Sequence, residues 1–343
     1  MGRRTPAGHD GVAAARLVAL GIVALIVLAV ASLLAGNSAV SLIDAWAVVV
    51  GNGSDVTRAI ILGVRLPRLA AAVVCGSALA CSGLLLQAAL DNDLAAPGIM
   101  GINSGAGLAV LVAATTFPAS IAAREVAAFV GALVSAATVY LISRRAGVSR
   151  TTLVLAGVAV GSLMGAGVDV LITFQPDLVA DRVAFSIGGL RGISLPALTA
   201  SALVVAVGLI FAATLAKGVD LFALGDETAC GLGLDVRRFR LLTVGCASLL
   251  AAAAVSLAGL LSFIGLIVPN LVRMVLRGSF VQRLVVCSVW GACLMVLCDL
   301  VARHLFFPYE LPVGLVMSAV GAPFFIWVLV RRHGRRASRG SAT

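Results

Sequence analysis

The stretch Leu241–Val272 reads LLTVGCASLLAAAAVSLAGLLSFIGLIVPNLV, 32 residues without a single charge. A membrane-spanning helix uses roughly 20 residues, so the stretch is too long for one span and too apolar for water. Arg237, Arg238 and Arg240 precede it, and Arg273, Arg277 and Arg283 follow it. Basic flanks favour the cytoplasmic side of a membrane. With both flanks on that side, the chain has to enter and return within the stretch. Gly and Pro interrupt helices, so a break near Gly259–Pro269 divides it into two.

Eight further apolar runs lie at about 12–35, 69–90, 98–117, 126–143, 151–173, 195–216, 284–302 and 311–330. With the divided stretch they predict an all-α integral membrane protein of ten transmembrane helices. Residues 1–343 form one transmembrane domain, with a basic N-terminal segment 1–11 and a basic tail 331–343 suited to anionic headgroups. The first run is too long for the apolar core of a signal peptide, about 7–15 residues. It reads as an uncleaved helix behind Arg3 and Arg4.

Composition agrees. The chain is 61% hydrophobic and 12% charged, against about 25% charged in soluble domains. That excludes both a soluble globular protein and a disordered one. The net charge of +10 reads as cytoplasmic basic loops and anionic lipid, with no nucleic-acid partner. With both termini inside, 18 of the 25 basic residues fall on the cytoplasmic side. Arg58, Arg65, Arg68, Arg124, Arg182, Arg191 and Arg303 remain outside, and Arg65, Arg68 and Arg303 lack an equal number of local acids.

Catalytic chemistry has nothing to build on. The one lysine, Lys217, is followed by Gly218 and Val219, so there is no Walker A loop, and neither HExxH nor GxSxG occurs. The seven cysteines lack CxxC spacing and the three histidines are scattered, so no metal site, cofactor or catalytic residue is expected. An ion-coupled carrier needs ionisable groups in mid-membrane. The clearest, Asp169, falls near the outer end of its helix. The energy for any uphill transport is therefore expected from another chain, with an ion-coupled secondary carrier as the alternative.

Four constellations stand out. Arg65-Leu-Pro-Arg68 opens the second run, Pro67 suiting a first helical turn. Its arginines either snorkel to lipid phosphates or dock an external partner. Gly157, Gly161 and Gly165 form a smooth ridge, for plain helix packing or for a pathway or subunit interface. The polar, Gly- and Pro-bearing segment Gln87–Gly98 and the following Asn103 and Ser104 are either a tight turn or a pathway lining. Finally, Gly225, Asp226, Glu227, Thr228 and Ala229 predict a short amphipathic helix ended by Gly231 or Gly233, with Asp235 beyond. It is either an ordinary loop or a contact for a cytosolic partner.

These residues resemble a known family. Arg65-Leu-Pro-Arg68 with Gly76, Gly83, Gln87, Asn92, Leu94-Ala95, Pro97, Gly101 and Ser104-Gly105-Ala106 is similar to its first signature. Leu224 to Ala229 with Leu232-Gly233 is similar to the second. The third is matched by Phe263 to Pro269, Arg273, Gly278, Gly291, Asp299, Ala302-Arg303, Glu310 to Gly314 and Gly321 to Phe324. Together, over about 58–332, they resemble the FecCD/BtuC permeases of iron–siderophore, haem and vitamin B12 importers.

The resemblance implies a bacterial cytoplasmic-membrane permease that is not itself an enzyme and works by alternating access. It implies an inverted repeat of helices 2–5 and 7–10. It also implies three partners: a cytosolic ABC ATPase dimer, an extracytoplasmic substrate-binding protein and a second, identical or similar permease subunit. Fe(III)–siderophores are the expected cargo, with haem or cobalamin as alternatives. By resemblance, Arg65, Arg68 and Arg303 dock the binding protein, and Gly225 to Ala229, Gly233 and Asp235 couple to the ATPase. Leu94 with Ser149, Arg150, Thr151 and Thr152 falls at the cytoplasmic gate, and the fifth and tenth helices line the pathway. The chain departs from the usual pattern twice: Asn92-Asp93-Leu94-Ala95 stands for Asn-Pro-Leu-Ala, and Pro269-Asn270 for Pro-His.

Overall fold

The computed structural model describes residues 7–34, 42–51, 54–306 and 308–340. The principal helices are α1 (Ala7–Leu34), α2 (Leu66–Leu90), α3 (Ile102–Thr116), α4 (Ile121–Ala146), α5 (Arg150–Phe174), α6 (Leu195–Thr214), α7 (Val236–Ala258), α8 (Ile264–Val275), α9 (Phe280–His304) and α10 (Val313–Gly340). Among the described residues seven of these are long and apolar enough to cross a membrane, and α3, α8 and the Val313–Val328 part of α10 are shorter apolar helices. The chain is thus a multi-pass, all-helical membrane protein. Most of the basic segment 1–11, and the side chains of the tail 331–343, lie outside the described residues.

Helices α2 and α7 are largely buried, whereas α1, α4, α5 and α6 expose most of their apolar surface. The two central helices owe this to small residues. On α2 a Cβ at Gly76 would stand 2.3 Å from the Gly291 carbonyl oxygen of α9, and one at Gly83 would stand 1.8 Å from that of Gly265 on α8. Backbone thus lies on backbone, the mode of association open to helices that gain little from hydrophobicity in lipid. Helix α2 packs on α7, α8 and α9, and α7 packs on α2, α3 and α4. Both also pack on α6, so α2 and α7 form the centre of the bundle.

The 32-residue apolar stretch breaks where α7 ends at Gly259, at φ 67°. A side chain there would meet the Phe185 carbonyl oxygen at 2.7 Å. The break is held by Gly189 N–H to the Ala258 carbonyl (2.8 Å) and Leu260 N–H to the Phe185 carbonyl (3.0 Å). Phe263, also at positive φ, starts α8 and lays its ring over Gly321. Pro269, expected to take part in the break, lies instead inside α8. It has no N–H for the Gly265 carbonyl four residues back, and Gln87 Nε2 donates to that oxygen at 3.1 Å.

Pro67 stands in the first turn of α2, as its sequence position predicts, but the helix does not start from a loop there. The helical path runs unbroken from Asp55 to Leu90, with a π turn at Ile61–Arg65 just before the proline. The wider turn accommodates the N–H that Pro67 cannot supply.

Candidate functional site

Two polar clusters occupy opposite ends of the bundle. At one end are the C-termini of α1 and α9 and the loop before α10. Asp299, 1% exposed, accepts from Arg68 Nε at 2.9 Å and forms an ion pair with Arg303, whose Nε lies 3.2 Å from Oδ2. Arg68 Nη1 reaches Glu310 Oε2 at 2.9 Å, and Arg191 Nε reaches the same oxygen at 3.0 Å. Arg65 Nη1 donates to the carbonyls of Leu33 (2.6 Å) and Leu34 (2.9 Å). Arg303 donates to the Ser32 carbonyl (3.1 Å) and hydroxyl (2.5 Å). The last turn of a helix leaves carbonyls without N–H partners and carries the negative end of its dipole. Two buried cations satisfy that end of α1.

The three arginines predicted as a docking set therefore lie together, but Arg65 and Arg303 are buried and pointed into the chain. Their acids, Asp299 and Glu310, are distant in sequence from Arg68. Burial alone would push the Glu310 carboxyl up, yet the hydrogen bond and charge of Arg68, then those of Arg191, hold it below the ordinary carboxylate range. Arg68, Arg191 and Glu310 border a cavity of about 430 Å³ that Arg124, Glu125 and Asp181 also line.

At the other end the short helix Asp226–Gly231 stands between Gly225 and Gly233, both at positive φ. It exposes Glu227, Thr228 and Leu232 and buries Ala229. Asp226 faces back into the bundle: Oδ2 accepts from Arg240 Nη2 at 2.6 Å and Oδ1 from Arg150 Nη2 at 3.0 Å. Arg240 is itself buried, donating from Nε to the Ala89 carbonyl (3.0 Å) beneath the Phe222 ring. Burial would raise the Asp226 carboxyl, but Arg240 and then Arg150 outweigh it and hold it low. Asp235 caps α7 through Arg238 N–H at 3.1 Å. Ser149 caps α5, accepting from Thr152 N–H at 3.0 Å.

A cavity of about 610 Å³ brings Ser149, Arg150 and Thr151 beside Gly225, Asp226, Glu227 and Thr228. The two groups that the sequence placed at the gate and at the coupling helix thus share one site. Leu94 lies in the nearby turn, its N–H bonded to Asn92 Oδ1 at 3.0 Å. Arg150 Nη1 also reaches Asp91 Oδ2 at 2.7 Å, and nothing in local spacing marks Asp91 or Arg240 as partners in this site.

Between the two ends, Asn103, Ser104 and Gly165 line a cavity of about 160 Å³ together with Arg182, Phe185 and Ser186. Gly157 and Gly161 do not reach it: they abut the Gly101 turn before α3. The ridge therefore serves helix packing along its first part and cavity lining at Gly165. Asp169 pairs with Arg182 near the exposed end of α5. Among the described residues no group of three His, Cys, Asp or Glu side chains could hold a metal.

Known proteins resemble this chain in sequence and in fold. The model of the FecCD transport family matches residues 24–331. The hemin transport system permease protein HmuU of Yersinia pestis is 34% identical over 322 residues, covering 92% of this chain and 96% of its own. The ferric enterobactin transport system permease protein FepG of Escherichia coli (strain K12) is 33% identical over 292 residues, 85% and 88% of the two chains. A solved inward-facing structure of a metal-chelate type ABC transporter superposes with TM-score 0.82 at 25% identity, covering 92% of this chain and 99% of that one.

Proposed function

The chain belongs to the FecCD transport family, and we propose that it is the permease subunit of an ATP-binding-cassette importer for Fe(III)–siderophores. In this reading it lies in a bacterial cytoplasmic membrane, pairs with a second permease subunit and has both termini in the cytosol. A cytosolic ATPase dimer hydrolyses the ATP and presses on the helix Asp226–Gly231. An extracytoplasmic binding protein delivers cargo to the Arg68 end.

The observation that carries the reading is the short helix Asp226–Gly231. It projects from the bundle with its outer face free, and its acid is tied back to the predicted gate through Arg150. The chain has no nucleotide-binding loop of its own, and in this reading force arrives from a separate subunit at this helix. Docking at the far end falls to Arg68 and the exposed Arg191, which Glu310 holds together, while Arg65 and Arg303 brace the surface from behind. Cargo passes beside Asn103, Ser104 and Gly165 of α5, while Gly157 and Gly161 pack that helix on the Gly101 turn. Leu94 and the Ser149 to Thr152 turn form the cytoplasmic gate.

The siderophore assignment draws on the ferric enterobactin relative, and the hemin relative supports haem as the second reading. The test is reconstitution of the chain with its ATPase and binding protein in liposomes, offering labelled iron–siderophores, haem and cobalamin in turn. ATP-dependent accumulation of an iron–siderophore is expected. Preference for haem or cobalamin would replace the cargo. Accumulation without the ATPase would replace the ATP-driven importer by an ion-coupled carrier.

A further inference from the structure

Arg150 is the first residue of α5 and forks between two carboxylates on different elements. Nη1 reaches Asp91 Oδ2 at 2.7 Å, in the turn that carries Leu94, and Nη2 reaches Asp226 Oδ1 at 3.0 Å, on the short exposed helix. A guanidinium presents its donors in a fixed planar fork, so the two acids hold it in orientation as well as in place. From this geometry we propose that Arg150 is a positioning residue that passes displacement of the Asp226–Gly231 helix to α5 and to the 91–94 turn. The inference rests on the reading that an ATPase acts on that helix.

Three observations give the tie a direction. Asp226 is also bound by Arg240, which is buried on the rigid central helix α7 and fastened to the Ala89 carbonyl and over Phe222. That pair is the fixed pivot. Helix α5, in contrast, exposes most of its apolar length within the chain, and weakly packed elements move at low cost. Of the two helices that hold Asp226, α5 has the fewer contacts inside this chain to resist a shift. Beyond Arg150, the 91–94 turn is held on its other side to α8 by Asp93 with Arg273 and by Asn270 Nδ2 to the Asp93 carbonyl at 2.9 Å. Leu94 is therefore suspended between α5 and α8, and a shift of the Arg150 side changes its setting. The Arg150 side chain is 36% exposed and that of Asp91 71%. Partly solvated pairs of this kind are weak, so this tie can open and re-form within a transport cycle.

The test uses the full chain assembled with its ATPase and isolated through a tag on the ATPase, so that every complex counted carries the motor. In a Cys230→Ser background, which removes the exposed thiol, Leu94→Cys is labelled with a maleimide before and after trapping with ADP and vanadate. A several-fold change in labelling rate on trapping is expected. Arg150→Gln abolishes that change, Arg150→Lys retains part of it, and Asp91→Asn, a substitution at an exposed side chain, removes most of it. An undiminished change in Arg150→Gln overturns the tie. If Arg150→Gln yields no complex, Asp91→Asn decides by the same criterion. If no ATPase joins the unsubstituted chain, the ATP-driven permease reading itself fails, an outcome distinct from loss of the tie.

Discussion

Asn270 donates from Nδ2 to the main-chain carbonyl of Asp93 at 2.9 Å. These are the two positions at which the chain departs from the pattern its signatures otherwise resemble, and 177 residues separate them. Asp93 also pairs with Arg273, which in turn donates to Gln87 Oε1 at 2.5 Å. The departures form one polar cluster that joins the end of α2, the 91–94 turn and α8.

A double-mutant cycle on Asn270→Ala and Asp93→Asn tests that joint role. Loss of the Asn270 hydrogen bond costs about 1 kcal/mol. Because both side chains hold one turn, a coupling of about 0.5–3 kcal/mol is expected. Thermal unfolding in detergent measures it, and strictly additive effects would show that the two changes are independent.

Gly83→Ala should destabilise the bundle by about 1–3 kcal/mol or more, because its Cβ meets the Gly265 carbonyl at 1.8 Å between two packed helices. Gly165→Ala meets nothing within 4 Å. It should be neutral or gain up to about 1 kcal/mol from helix propensity. Melting temperatures of the two variants should move in opposite directions or at least differ by several degrees.

Asp299→Ala leaves Arg68 and Arg303 buried around a missing charge. Breaking a buried pair by removing one partner costs about 3–5 kcal/mol, so a sharp loss of folded protein on size exclusion is expected. A melting temperature equal to that of the parent would show that the arginines find other acceptors.

Acid should weaken both ends. Asp226 and Glu310 are held below the ordinary range in the folded chain. A group lowered in this way binds protons more readily when unfolded. Its stabilising contribution is present above the unfolded value of about 4 and fades as pH falls toward the lowered folded value. Melting temperature followed from pH 7 to pH 3 should drop through that window, and Glu310→Gln and Asp226→Asn should each flatten part of the drop.

Arg191→Gln separates docking from folding. Its side chain is 67% exposed, so loss of its pair with Glu310 should cost about 0–1 kcal/mol. Association of the binding protein should slow several-fold at low salt, with the difference closing as salt rises. Arg65→Glu, buried against the end of α1, should instead lower the yield of folded chain. Binding kinetics and expression level together distinguish the two roles.

The sequence by itself determined the class of the molecule and its helix count. Too little charge to face water, and a 32-residue apolar run with basic flanks, leave few solutions in a bilayer where every backbone group must be satisfied internally. It also marked the short helix at Asp226, because glycines and local acids are local signals. The tertiary structure decided the partners. Asp299 and Glu310 reach Arg68 across 231 and 242 residues of chain, and Asp226 meets Arg150 across 76. No periodicity encodes such meetings, since they depend on how closely the helices approach. Backbone contacts at Gly76 with Gly291 and at Gly83 with Gly265 set that approach. Burial follows the same logic: an arginine at a helix end reads alike in sequence whether it meets lipid phosphate or the open carbonyls of a neighbouring helix, and only the position of α1 turned Arg65 and Arg303 inward.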